Sequence, residues 1–127
     1  MTLHTVFCCR SRLDQRSQHA LCALLNSYAA NYLVRRWVTT HVTAAIIGRL
    51  PVPLLSNEAT VGELARLALA LAGPRPSLEI EALVQALCAR AYGLSEGEFA
   101  HVLETFPLVD ASRRQAALDA FRDETPR

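Results

Sequence analysis

The sequence predicts a mostly α-helical fold of the α+β class, with a strand–helix–extended unit at residues 1–53 and a four-helix part at residues 54–127. Three observations predict it. Apolar side chains recur at helical spacing, residues that cap or end helices occur between the apolar segments of the second half, and one β-branched segment lies near the start. The chain has 127 residues, of which 51% are hydrophobic and 20% charged. This composition fits a single compact domain over residues 1–127.

The first part of the chain is predicted to hold one strand and one long helix. The segment Leu3–Cys9 is β-branched and aromatic, as strands are, and the polar residues 10–17 that follow indicate a loop. Apolar residues at helical spacing predict a helix from about Gln18 to Trp37. The short polar residues inside this helix are Asn26, Ser27 and Asn31. They lower its helix preference, and we expect their side chains to bond to nearby backbone.

The residues after this helix connect the two parts. Residues Val38–Thr43 are rich in β-branched side chains and are predicted to be extended. A short helical turn is predicted over Ala44–Leu50. Prolines make Pro51–Pro53 extended, and a break is predicted near Ser56.

Four helices are predicted in the second part, and capping residues mark their ends. Thr60 and Glu63 have capping-box spacing, as do Ser95 and Glu98, and Gly93 suits a position just after a helix. The predicted helices are Glu58–Leu71, Leu78–Tyr92, Glu96–Thr105 and Ala111–Phe121.

Charge is distributed unequally between the two parts. Residues 1–53 contain six arginines and one acid, Asp14, which gives +5, whereas residues 54–127 contain seven arginines and eleven acids, which gives −4. The asymmetry suggests that the first part faces a polyanion and the second faces solvent or a partner. A chance distribution of surface charge is the alternative.

The motifs of common enzymes are absent from the sequence. No glycine-rich cofactor loop or phosphate-binding loop occurs, and the four histidines lie far apart. No apolar run approaches the roughly 18 residues of a membrane span. We therefore expect no enzyme activity, no cofactor and no membrane association.

The cysteines match no metal-binding pattern. None of the four forms a C-x-x-C pair. We expect them to be free buried thiols of a protein in the reducing cytoplasm, with no metal. They are Cys8, Cys9, Cys22 and Cys88.

One stretch of the chain resembles a known family. Residues 20–53 contain Leu-Leu-Asn-Ser at Leu24–Ser27 and end in Leu-Pro-Val-Pro at Leu50–Pro53. This pattern resembles the end of the target-recognition region of adenine-specific DNA methyltransferases, above all the large bacterial type in which methylase and restriction functions share one polypeptide. The segments Tyr92–Phe99 and Leu103–Val109 resemble the C-terminal tail of those enzymes.

This resemblance implies binding without catalysis. The family carries a glycine-rich cofactor loop and an Asn-Pro-Pro-Tyr catalytic tetrapeptide, and neither occurs here. Residues 1–53 would be the end of a target-recognition region and residues 54–127 a helical tail. The resemblance thus implies a non-catalytic DNA-recognition or scaffold fragment, whose partner would be duplex DNA or a methyltransferase chain.

Guanidinium, hydroxyl and imidazole groups cluster around the end of the long predicted helix. Such groups suit phosphate contact with occasional base contact. The alternative is structural, because arginines favour helix C-termini and threonines favour strands. The candidate DNA-contact residues are Arg35, Arg36, Thr40, His41, Thr43 and Arg49. For Trp37 we expect core packing rather than base stacking.

A second function class is compatible with the same sequence. An end piece of a larger enzyme should expose apolar surface, and such surface drives association. The chain would then be a protein–protein interaction or oligomerisation module without nucleic-acid binding. A homo-oligomer formed through the predicted N-terminal strand or the first helix is its simplest form.

Overall fold

The computed structural model describes residues 12–38, 43–53, 57–75 and 77–123, and the regular elements within these ranges are all helices. The mostly α-helical class is therefore confirmed, whereas no strand of the predicted α+β class occurs in the described part. In chain order the helices are α1 (Gln15–Leu25), α2 (Tyr28–Arg35), α3 (Ala44–Arg49), α4 (Glu58–Leu71), α5 (Leu78–Ala91), α6 (Glu96–Glu104) and α7 (Ala111–Asp123).

Helix α5 is the centre of the packing and contributes to two hydrophobic clusters. Its Ala86 and Ala89 join α2, α6 and α7 in a first cluster around the fully buried Phe99. Its Val84 and Cys88 join α1 and α4 in a second cluster. Small side chains on α5 let the neighbouring helices approach closely. Helices α2, α6 and α7 pack on it in the first cluster, and α1 and α4 pack on it in the second.

Several predicted helix boundaries are confirmed. Helix α4 spans the residues that were predicted for it. Ser95 and Glu98 form a reciprocal capping box at the start of α6. Gly93 has a φ of 73°, the left-handed conformation that glycine adopts without strain, directly after the C-cap residue of α5.

The long helix predicted from Gln18 to Trp37 is wrong, because the chain breaks into α1 and α2 at Asn26 and Ser27. The Ser27 hydroxyl donates to the Leu24 carbonyl at 2.6 Å and accepts from the Ala30 amide at 3.1 Å. It therefore ends one helix and caps the next. Side-chain bonds to backbone were expected here, but they break the helix instead of bracing it.

A buried glutamine of α5 holds this break in place. Gln85 Oε1 accepts a hydrogen bond from the Tyr28 amide at 2.8 Å. The two residues are far apart in sequence, and both are buried. An amide at the start of a helix has no partner within that helix, so the Gln85 side chain supplies the missing acceptor.

The start of α1 differs from the prediction of a loop over residues 10–17. Residues Gln15 to Ser17 form the first turn of α1, since the Asp14 carboxylate caps the helix by accepting from the Ser17 amide at 2.8 Å. The predicted strand Leu3–Cys9 lies outside the described residues. So do most of the predicted extended stretch, at residues 39–42, and the predicted break near Ser56.

The predicted capping box at Thr60 and Glu63 is wrong. Both residues lie inside α4, whose N-cap is Asn57 with Oδ1 2.9 Å from the Ala59 amide. Asn57 comes three residues earlier and is an equally good cap. Glu63 is therefore free to pair with Arg66, one turn along the helix, at 2.6 Å.

Two predictions of burial are also wrong. Cys22 is exposed on α1, whereas Cys88 is buried as expected and both thiols are free. Trp37 was expected to pack in the core, but it keeps 40% of its surface exposed and belongs to neither hydrophobic cluster. The cores are filled by side chains of α5 and of five other helices, and Trp37 lies just beyond the end of α2.

Candidate nucleic-acid interface

Arg35 is bound within the protein. Its two terminal nitrogens each lie 3.1 Å from the Thr105 carbonyl oxygen, and Nη2 also donates to Thr105 Oγ1 at 2.7 Å. The guanidinium carbon lies 4.2 Å from the centre of the Phe106 ring. Arg35 therefore ties α2 to the last carbonyls of α6, where a cation is favoured by the helix dipole. Its role here is to position α2.

Arg36 lies on a neighbouring aromatic side chain and has no acidic partner. Its Nη1 donates to the Tyr32 hydroxyl at 3.3 Å, and its guanidinium carbon lies 5.9 Å from the Tyr32 ring centre. Both contacts leave the positive charge uncompensated. The exposed side chain retains donors that could bind a phosphate.

The other candidate contact residues lie around α3 or outside the described ranges. Thr43 is the N-cap of α3, and its hydroxyl oxygen accepts from the Ile46 amide at 3.2 Å. Arg49 is the last residue of the same helix and is exposed. Thr40 and His41 lie outside the described residues. Of the six candidates, Arg36 and Arg49 are thus exposed cations without a carboxylate partner among the described residues, and Arg35 is exposed but bound to Thr105.

Ion pairing is confined to the second part of the chain among the described residues. No carboxylate of the described ranges lies within 4.0 Å of a guanidinium nitrogen of the described arginines in residues 12–53. Arg16, for example, donates to the Glu58 backbone carbonyl at 2.7 Å rather than to the Glu58 carboxylate. The ion pairs are Arg66–Glu63, Arg113–Glu81, Arg122–Glu96 and Arg122–Asp119.

Among the described residues, the arginines of the first part thus form no ion pair with the acids of the second. The one acid among residues 12–53 is Asp14, which is committed to capping α1. Hydrogen bonds from Ser17 hold the pKa of the Asp14 carboxyl below its ordinary value. The described arginines of this part that form no ion pair with a carboxylate are Arg12, Arg16, Arg35, Arg36 and Arg49, of which Arg16 lies close enough to Asp14 to help lower its pKa.

An apolar groove of about 740 Å³ lies between α2, the segment Pro51–Pro53 and the junction of α5 and α6. Aliphatic and proline side chains form most of its walls, and the rings of Tyr32 and Tyr92 add aromatic surface. His101 stands edge-on to Tyr32, with 6.2 Å between the ring centres. Nothing in the sequence pattern indicated this groove, because its walls come from four separate segments.

Two exposed apolar side chains were also missed. Leu108, between α6 and α7, has 99% of its surface exposed, and Trp37 is exposed after α2. The sequence did indicate that Trp37 is exposed, since two arginines at a helix end precede it and a polar run follows it from position 39. Leu108 lies in the short loop after Pro107, where a leucine has no helical neighbours to pack against.

The described residues offer no metal site, since no group of three or more His, Cys, Asp or Glu side chains among them could hold an ion. In the same ranges, no helix has both the length and the apolar character needed to cross a membrane. Comparison of the chain with protein-family profiles, with curated proteins and with solved structures gave no match.

Proposed function

We propose that this protein is a non-catalytic DNA-binding module, in which a helical scaffold presents arginines of residues 12–53 to phosphates. The observation that carries the proposal is the absence of any carboxylate partner for the described arginines of that part. Uncompensated guanidinium groups bind phosphates and release counterions from DNA. The resemblance of residues 20–53 to the end of a methyltransferase target-recognition region supports the same function.

Within this proposal the candidate residues have two roles. Arg36 and Arg49 contact phosphates, since each is exposed and ends a helix without an acidic partner. Arg35 positions α2 against α6 through Thr105 and Phe106. Its contacts make it a poor phosphate ligand, because binding DNA would require it to leave them.

A double substitution tests the proposed contacts. Arg36→Gln with Arg49→Gln should weaken binding of a labelled duplex, measured by fluorescence anisotropy, and lower the slope of log affinity against log salt by about 2. The control variant, Arg66→Gln with Arg75→Gln, removes the same charge from the second part. Equal loss of affinity in the two variants would contradict the assignment and indicate an effect of net charge alone.

A second function, self-association without nucleic acid, is favoured by one specific observation. The chain carries both an apolar groove and a leucine, Leu108, that is almost fully exposed. A protruding apolar side chain and a complementary groove on one molecule can join two copies. In this alternative a second copy inserts its Leu108 into the groove beside Tyr32 and Tyr92.

Two substitutions separate self-association from the DNA-binding proposal. Leu108→Ser removes the inserted side chain, and Gly97→Leu fills the groove, since a Cβ at Gly97 meets no atom within 4 Å. Under the self-association alternative, sedimentation should show a wild-type dimer that both variants reduce to a monomer. Gly48→Leu, an equally open position in α3, is the control and should remain dimeric. A monomeric wild-type protein would rule the alternative out.

A further inference from the structure

Trp37 is an exposed aromatic residue at the end of a helix. Its amide donates to the Val34 carbonyl at 3.0 Å, which fixes its backbone to the last turn of α2. The side chain keeps 40% of its surface exposed, although tryptophan buries more apolar area than any other residue type. An indole held on an ordered backbone and open to solvent is a surface on which a flat molecule can stack.

The residue before Trp37 in the chain carries a positive charge. Arg36 lies over Tyr32 and has no carboxylate partner among the described residues. An exposed aromatic ring and an unpaired guanidinium group on consecutive residues are the two elements that bind a nucleotide chain, because the base stacks on the ring while the cation binds the phosphate.

The stacking geometry determines whether the bound nucleic acid is single- or double-stranded. In a continuous duplex both faces of each base are covered by neighbouring base pairs, so an indole ring cannot stack on them. An unpaired nucleotide leaves a face open. From the exposure of Trp37 and the uncompensated charge of Arg36, we infer that this end of α2 binds single-stranded nucleic acid, with one unpaired base stacked on the indole. This inference rests on the proposed nucleic-acid binding and specifies its substrate.

Intrinsic fluorescence tests the inference directly, because Trp37 is the single tryptophan of the chain. Oligothymidylate of about ten nucleotides should quench this fluorescence on binding, since the stacked base contacts the indole. A duplex closed by hairpin loops of a non-nucleotide linker has no unpaired base and should bind without quenching. Inorganic polyphosphate, which has charge but no bases, should likewise bind without quenching. Oligouridylate distinguishes RNA from DNA as the source of the unpaired base.

Substitutions of Trp37 provide an independent measurement. Trp37→Ala should weaken binding of oligothymidylate by about 5- to 150-fold, the effect expected from the loss of one stacked base. Trp37→Phe should recover part of the affinity, because a smaller ring still stacks. Leu69→Ala removes another exposed apolar side chain, from α4, and should leave the affinity unchanged. Circular dichroism spectra of the variants confirm that each is folded.

The outcomes separate this inference from the proposed function. Quenching by the single strand alone, with partial recovery by Trp37→Phe, supports both. Salt-dependent binding of single strand and closed duplex with equal affinity and unchanged fluorescence overturns the stacking inference and leaves the proposed function standing. No binding of any of these polyanions overturns both.

Discussion

Alkaline pH is expected to destabilise the wild-type protein more steeply than a Cys88→Ala variant. Burial raises the pKa of the Cys88 thiol from 9.0 to about 12. Because this pKa is higher in the folded state, the stabilising contribution is complete below pH 9 and is lost as the pH rises towards 12. As the pH rises, the thiol ionises in the unfolded chain before it ionises in the folded protein. Between the two pKa values the free energy of unfolding falls by about 1.4 kcal/mol per pH unit, so it should be lower by about 2 kcal/mol at about pH 10.5.

Urea unfolding of reduced protein between about pH 8 and about pH 10.5 measures this loss. The relevant quantity is the change with pH within each variant, so the cavity left by Cys88→Ala does not affect the comparison. Cys22→Ala is the control, because it removes an exposed thiol and leaves Cys88 in place. Burial also raises the pKa of Tyr28, and this contribution is the same in every variant. Burial and the Cys88 charge raise the pKa of Tyr92, so Cys88→Ala also removes part of that shift, which acts in the same direction. Identical pH profiles for wild type and Cys88→Ala would contradict the burial of the thiol.

Gln85→Leu should lower the free energy of unfolding by about 1–3 kcal/mol. The substitution removes the acceptor for the Tyr28 amide, and this buried amide then has no partner at the start of α2. Leucine is similar in size to glutamine, so the loss reports the hydrogen bond more than the packing. A chain of this size has a total stability on the order of 5–15 kcal/mol, so the effect is a large fraction of it.

Chemical denaturation of Gln85→Leu and of Gln115→Leu measures the contribution of the buried hydrogen bond to the free energy of unfolding. Gln115 lies on the exposed face of α7 and bonds to Asp119, and its replacement should change stability by less than about 0.5 kcal/mol. Equal stability of the two variants would show that Gln85 does not hold the break between α1 and α2.

The helix boundaries of the second part could be predicted because local chemistry determines them. Ser95, Glu98 and Gly93 act on groups within a few residues of themselves, so their spacing in the sequence is sufficient. Thr60 and Glu63 show the limit of that reasoning. Their spacing was also correct, but Asn57 three residues earlier provides the cap that the helix uses.

The break at Asn26 and Ser27 could not be predicted from spacing because distant contacts decide it. Apolar residues continue at helical spacing through the break, and Ser27 is compatible with either a helix interior or a cap. Gln85, on a helix much later in the chain, provides the acceptor that lets a second helix begin at Tyr28. Tertiary hydrogen bonding thus overrides the local pattern.

For the candidate site, too, local features could be predicted from the sequence and contacts between distant residues could not. The excess of arginines in the first part is visible in the sequence, and the structure adds which of them meet carboxylates. It also shows that Arg35 of α2 contacts Thr105 at the end of α6, 70 residues later in the chain. The groove and the exposure of Trp37 depend on how separate segments pack, so neither could be derived from residue spacing.

The salt dependence of DNA binding by the wild-type protein tests the central claim most directly. If the exposed arginines that make no contact with another helix, Arg12, Arg36 and Arg49, bind phosphates, log affinity for a labelled duplex should fall with log salt at a slope of about −2 to −3, as expected for two or three contacts. A slope near zero, or no binding at low salt, would contradict the claim. The uncompensated arginines would then be solvent-exposed charges without a nucleic-acid partner.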